Sequence, residues 1–336
     1  MIPIATFTER IMSWPWTTCT DLTALPSTWY RRQPMAVFDA LVDEALRNQQ
    51  ELRALRAVVE KEILHHDILR ELSQADLLQQ LTFIGDTCLR ACYGSNRLSE
   101  DLDFTGGADF SKADLDKFKD TLEGRLQEKY EVPITVTEPR AEKQGNVDTW
   151  KLKVNTAPDR RNMPAQKIHL DICSVPSYQI EPRTLRNHYG INLGTESLII
   201  NTQSREEIFA DKLVAFAMRP GRLKYRDLWD IAWLTQGGIE PAFELIEAKL
   251  ADHGEDPQAF LQLADERLQL LAEDDQQKSQ FQFEMSRFIP PERLQRTIQQ
   301  EGFWPYLVNT VTEKVRQAQK QVDKGQPAGA GPQFPM

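Results

Sequence analysis

The chain has 336 residues, 40% of them hydrophobic and 27% charged, with a net charge of −10. That composition fits a soluble globular protein of about two domains at roughly 100–200 residues each. It excludes a fibrous or low-complexity chain, and the overall acidity argues against wholesale coating of nucleic acid.

The charge is unevenly placed. Residues 140–226 hold 15 Lys and Arg against 9 Asp and Glu, whereas residues 240–324 hold 10 against 16, so the middle of the chain is the part able to face an anion. Cys19, Cys88, Cys92 and Cys173 form no CxxC pair, and the five histidines lack zinc-ligand spacing. The N-terminus has no basic start followed by a long apolar run, and no stretch of 18 apolar residues occurs. A cytoplasmic protein with reduced thiols and no membrane contact is expected.

Residues 1–33 read as an irregular extension, with Trp14, Trp16, Trp29 and Tyr30 expected to pack onto the body. From Pro34 to about Gln80 the apolar spacing is helical, through Val37, Leu41 and Ala45 and then Ile63, Ile68, Leu69 and Leu72. Leu81–Ile84 is a short buried strand, followed by a glycine turn and a short helix from Asp86 to about Tyr93. A strand carrying Asp101 and Asp103 comes next. Ser111 and Asp114 resemble a capping box opening a helix to Tyr130. Segments 134–137, 149–154 and 167–172 alternate as strands. Ser204-Arg205-Glu206-Glu207 reads as a capping box opening a helix to about Met218, Arg226–Thr235 forms another, and residues 240–323 continue as helices. The Gly/Pro-rich end reads as disordered. The expected division is an extension over 1–33, a core with leading helices over 34–201, a helical domain over 202–323 and a disordered tail over 324–336.

The chemistry concentrates around Asp101 and Asp103. Strand side chains alternate, so these two carboxylates share a face while Leu102 and Phe104 turn to the core. Paired carboxylates repel unless a cation lies between them, and Mg²⁺ favours such oxygen ligands. Asp171 points outward from its own strand and completes a three-carboxylate set if the strands are neighbours, which is the donor set of a two-ion site. Gly85 lets a triphosphate approach the backbone, and Ser99 offers a hydroxyl to a phosphate. Arg97 is expected to meet a carboxylate or a phosphate. Lys212 is a point charge for a triphosphate, and Asp227 and Asp230 share a helix face from which they orient that lysine or assist an incoming hydroxyl.

Two segments resemble the AbiEii/AbiGii toxin family. GDTCLRACYGSNRLSEDLDF carries Gly85, Thr87, Leu89, Arg90, Tyr93, Arg97, Ser99, Asp101, Asp103 and Phe104 of its first motif. REEIFADKLVAFAMRPGRLKYRDLWDIAWL carries Lys212, Arg226, Asp227 and Asp230 of a later one. Asp86 departs from the pattern, standing where the family usually has a second glycine. The resemblance implies an α+β fold, with a polymerase-β-like nucleotidyltransferase core on a mixed sheet and a helical C-terminal domain. It also implies an NTP substrate, Mg²⁺, transfer of NMP to the 3′ end of tRNA that blocks translation, and a separate antitoxin. Asp101, Asp103 and Asp171 are then the metal ligands, and Gly85, Thr87, Arg97, Ser99 and Lys212 the nucleotide contacts. Two alternatives use the same residues: nucleotide transfer to a protein, and a catalytically dead relative that acts by binding a partner, for which Asp86 speaks. A DxD glycosyltransferase ranks last, because the chain lacks a sugar-nucleotide Rossmann pattern.

Overall fold

The computed structural model describes residues 35–140, 145–156 and 165–325. The N-terminal extension, with Cys19 and its aromatic residues, and the tail beyond Gly325 lie outside them.

Two helices lead into the sheet, α1 (Met35–Asn48) and α2 (Arg56–Gln74), separated by a 3₁₀ turn at Gln50–Leu55. The helical reading to Gln80 is therefore too long, because Asp76 adopts a left-handed conformation and stops the chain. Strand β1 (Thr82–Ile84) runs straight into α3 (Gly85–Ala91), and β2 (Leu102–Thr105) follows. Next come α4 (Phe118–Tyr130), β3 (Ile134–Thr137), β4 (Val147–Val154), β5 (Gln166–Cys173), β6 (Ile180–Thr184) and β7 (Ile199–Gln203). The capping box at Ser111 and Asp114 forms, but it opens a 3₁₀ turn at Lys112–Leu115 before α4 rather than one long helix.

The seven strands make one mixed sheet in the order β3-β4-β5-β2-β1-β7-β6, with β2 parallel to β5, β1 parallel to β7 and the other pairs antiparallel. Period-2 alternation sets its faces. On β5, Ile168, Leu170 and Ile172 are fully buried while His169 and Asp171 turn the other way. On β4, Trp150, Leu152 and Val154 point inward. Phe83 of β1 and Phe104 of β2 stack with ring centroids 5.2 Å apart. Their burial fixes the register, because a slip of one residue would drive Asp103 into the core.

The C-terminal region is helical: α5 (Arg205–Met218), α6 (Tyr225–Gln236), α7 (Ile246–Asp252), α8 (Pro257–Glu273), α9 (Asp275–Met285), α10 (Pro291–Arg296) and α11 (Phe303–Gly325). Helix α5 packs on α6, α7 and α8, and α11 lies against α6 and α8. No helix among the described residues is long and apolar enough to cross a membrane.

Candidate active site

The site forms where the β1–α3 turn, the sheet and helices α5 and α6 meet. Asp103 and Asp171 are register partners on the parallel strands β2 and β5, so their side chains leave the same face side by side. Neighbouring strands lie about 4.8 Å apart, which puts two carboxylates within mutual reach. Asp171 Oδ1 is buried and has no hydrogen-bond partner. Burial, reinforced by Asp86, Asp171 and Asp101 and opposed by Lys224, pushes the Asp103 carboxyl up to about 7. The pair is therefore short of positive charge.

Gly85 stands beside it. Its φ is +72°, and a Cβ there would lie 3.0 Å from Asp103 Oδ2. Glycine is needed twice over, for the left-handed turn and for the close approach of backbone to carboxylate. Asp101 precedes β2 and is tethered differently. Its Oδ1 accepts the His169 backbone N–H at 3.0 Å and faces His169 Nδ1 at 3.4 Å.

Thr87 and Ser99 are both buried. Their hydroxyls lie 2.6 Å apart, and Thr87 also donates to the Asp101 carbonyl. The Ser99 N–H donates to Glu62 Oε1 at 2.9 Å, and the Glu62 carboxylate also receives Arg90 and the Tyr189 hydroxyl. Thr87 and Ser99 thus lock the chain that leads into Asp101, with Glu62 of α2 as the anchor.

A second group of carboxylates is fully paired. Arg97, 1% exposed, grips Asp230 with Nε–Oδ1 at 2.7 Å and Nη2–Oδ2 at 2.5 Å, and reaches Asp86 at 3.0 Å. The Lys212 ammonium contacts Asp227 at 2.6 Å, Asp230 at 2.9 Å and Asp86. Burial works against the charge on Lys212, but Asp227, Asp86 and Asp230 more than offset it and raise its pKa. Burial also opposes ionisation of Asp86, yet Arg97, Lys212, Lys224 and Arg226 hold it well below the usual carboxylate range. The oxygens of Asp86, Asp227 and Asp230 all lie within 4.8 Å of one another, which is close enough to cage a metal ion. The Lys212 ammonium is the cation among them.

Asp103, Asp171, Gly85, Asp86, Lys212, Lys224 and Asp227 line one cavity of about 530 Å³, together with Arg219 and with Lys249 and Asp252 of α7. A second cavity of about 450 Å³, between Trp229, Trp233, Phe303 and Tyr306, brings together no carboxylates and is set aside as a reaction site. The residues singled out from sequence thus fall into two groups. Asp103, Asp171 and Gly85 meet in the cavity, and Arg97, Lys212, Asp227 and Asp230 meet in a buried ion cluster. Asp101 does not line the cavity and is held by His169. Thr87 and Ser99, expected as nucleotide contacts, are buried and bonded to each other, to the Asp101 carbonyl and to Glu62 instead. Sequence reasoning passed over Glu62 and Lys224. Lys224 lies two residues before the recognisable Arg226-Asp227 pair, a signal too local to assign. Asp86 was visible as a departure from the motif, but its partners were not.

Comparison with known proteins decides the family. The profile of the nucleotidyl transferase AbiEii toxin family, type IV toxin–antitoxin system, matches residues 67–309. The chain belongs to this family. No curated protein sequence matches it. Among solved structures, MenT4, a nucleotidyltransferase toxin from Mycobacterium tuberculosis, superposes with a TM-score of 0.50 at 15% identity, over 84% of this chain and 92% of that one. JHP933 from Helicobacter pylori follows at a TM-score of 0.39 and 18% identity, over 84% of this chain and 94% of that one. The MenT4 match speaks for a shared fold, and the fold and family together make the chain a nucleotidyltransferase toxin of the type IV class.

Proposed function

We propose that the chain transfers a nucleotidyl group from an NTP to an acceptor hydroxyl, most readily the 3′ end of tRNA, in a Mg²⁺-dependent reaction that blocks translation and is restrained by a cognate antitoxin. The observation that carries this reading is the Asp103–Asp171 register pair, with its unpartnered oxygen, beneath a cavity floored by Gly85. An orphaned carboxylate oxygen beside a second carboxylate suits a hard divalent cation. Asp103 and Asp171 would hold it, with Asp101 nearby, and it would supply charge stabilisation to the oxygens of the transferring group.

The chain's own residues do the rest. Gly85 leaves room for a phosphate against the backbone. Thr87 and Ser99, locked to Glu62, keep the Asp101–Asp103 segment from moving as charge builds. The acceptor oxygen bonds to the α-phosphorus as the bond to pyrophosphate breaks, and the hydroxyl proton passes to one of the half-buried carboxylates of the site. Asp86, buried among cations, is turned to the basic cluster and does not stand as a free charge before the triphosphate.

The test is incubation of purified protein with each labelled NTP, total tRNA and Mg²⁺ or EDTA, followed by RNase. RNase-sensitive label that needs Mg²⁺ is expected. Label that survives RNase would move the acceptor to protein, and the absence of label from all substrates would defeat the enzyme reading.

A further inference from the structure

The buried ion cluster raises the question of which cation is free to meet a substrate's phosphates. Lys212 has the right chemistry but is 6% exposed and touches three carboxylates. Moving its ammonium toward a ligand would strip charge from Asp227 and Asp230, which are 2% and 0% exposed. Uncompensated charges at such depth are strongly unfavourable.

Lys224 is held far more loosely. It occupies the N-cap of α6, its side chain is 25% exposed, and its Nζ lies 3.3 Å from Asp86 and 4.0 Å from Asp227. Arg219, at the end of α5, is 42% exposed and reaches Asp227 at 3.3 Å. Both line the cavity that contains Asp103 and Asp171, and the Lys224 charge already acts on Asp103. Lys212 lines this cavity too, but its ammonium is held by Asp86, Asp227 and Asp230; with Arg97 and Lys212 against those three carboxylates, Lys224 and Arg219 bring the cluster to four positive charges against three negative.

We infer that Lys224, with Arg219 beside it, receives the β- and γ-phosphates of the nucleoside triphosphate, and that Lys212 is a positioning residue which fixes α5 to α6 without touching substrate. The inference rests on the nucleotidyltransferase reading and names the anion subsite within it. The ammonium supplies a point charge and the guanidinium a two-pronged donor, a combination suited to a flexible polyphosphate. The carboxylates of Asp103 and Asp171 stand across the same cavity, so the polyphosphate lies between a cationic wall and the acidic pair that would share its metal ion.

The experiment is calorimetric titration of the full chain with magnesium and each of the four NTPs, with inorganic tripolyphosphate, and with the matching nucleosides. The variants are Lys224→Ala, Lys224→Arg and Arg219→Ala. Wild type is expected to bind tripolyphosphate and at least one NTP. Lys224→Ala and Arg219→Ala should each weaken both ligands by about 10-fold to 100-fold, the range for loss of a charge-assisted contact. Lys224→Arg should stay within about threefold of wild type, nucleoside binding should not change, and the salt dependence of NTP binding should flatten in Lys224→Ala. Unaltered tripolyphosphate affinity in both alanine variants, with wild type binding normally, would overturn the inference and leave the enzymatic reading standing. Failure of wild type to bind any triphosphate would overturn both.

Discussion

Asp230 offers the sharpest test of the buried cluster. It is fully buried, accepts both prongs of Arg97 and lies 2.9 Å from the Lys212 ammonium. Asp230→Asn keeps the shape and removes one negative charge, leaving Arg97 with Asp86 at 3.0 Å and Lys212 with Asp86 and Asp227. Breaking a buried ion pair by removing one partner costs about 3–5 kcal/mol, and the surviving partners place this site at the lower end, about 3 kcal/mol. At about 2 °C per kcal/mol for a protein of this size, the melting temperature should fall by roughly 6 °C. Urea unfolding followed by circular dichroism gives the free energy directly. A double-mutant cycle with Arg97→Met and Asp230→Leu isolates the pair. The double variant should cost at least about 2 kcal/mol less than the two singles together, because both charges leave at once. A melting shift under about 2 °C for Asp230→Asn, or additive singles, would refute the idea that Arg97 and Asp230 compensate each other.

Three further outcomes are expected. Gly85→Ala forces a side chain into a left-handed conformation 3.0 Å from Asp103 Oδ2, so stability should drop by about 1–2 kcal/mol and labelled-NTP transfer should fall more steeply than the melting temperature; equal losses in both would assign Gly85 to folding alone. Asp171→Asn keeps the side chain's shape and removes the negative charge that repels Asp103, so the protein should be as stable as wild type or more so, while transfer falls by more than about 100-fold, beyond the usual cost of losing an outer partner of a metal site; Mg²⁺ should raise the melting temperature of wild type only, and an equal rise in the variant would count against this ligand set. Burial pushes His66 down to about 4, so its neutral form contributes stability that is complete above its ordinary pKa of about 6.5 and is lost as pH falls towards about 4, worth about 3 kcal/mol; His66→Gln should show a shallower loss of urea midpoint between pH 7 and 4.5, and parallel slopes would exclude His66 as the source.

The legible features were those governed by local rules. Alternation turned Asp103 away from Leu102 and Phe104, glycine marked the turn at residue 85, and Ser204 was read as a cap and accepts the Glu207 N–H at 3.0 Å. The full capping box read there did not form, because the Glu207 carboxylate accepts the N–H groups of Tyr178 and Gln179 and pairs with Lys249. No local pattern signals those partners. The parallel pairing of β2 with β5 joins residues 68 apart, and nothing in either strand names the other. Arg97 and Lys212 illustrate the same limit. Arg97 was expected to meet a carboxylate or a phosphate, and Lys212 to face a triphosphate with Asp227 or Asp230 orienting it, but neither reading chose the partner or foresaw the burial. Arg97 meets Asp230 across 133 residues and Lys212 meets Asp86 across 126, so the joining of the two motifs into one buried cluster was beyond the reach of spacing.

The two carboxylate groups separate structure from chemistry by a single criterion, which is whether their charge is answered. Asp86, Asp227 and Asp230 are answered completely by Arg97, Lys212 and their neighbours, and such a cluster resists change in either direction: adding a cation repels, and removing one strands an anion. Asp103 and Asp171 are answered only at a distance by Lys224, and one oxygen has no partner at all. A charge deficit at two half-buried carboxylates costs free energy in the resting protein, and such deficits mark candidate ligand sites. The departure at Asp86 then has a physical account. A carboxylate at the mouth of a phosphate site repels its substrate only if it is free, and here it is the hinge on which Arg97, Lys212 and Lys224 meet. On the proposed reading its effect on a triphosphate is indirect, exerted through the Lys224 ammonium that it holds at 3.3 Å.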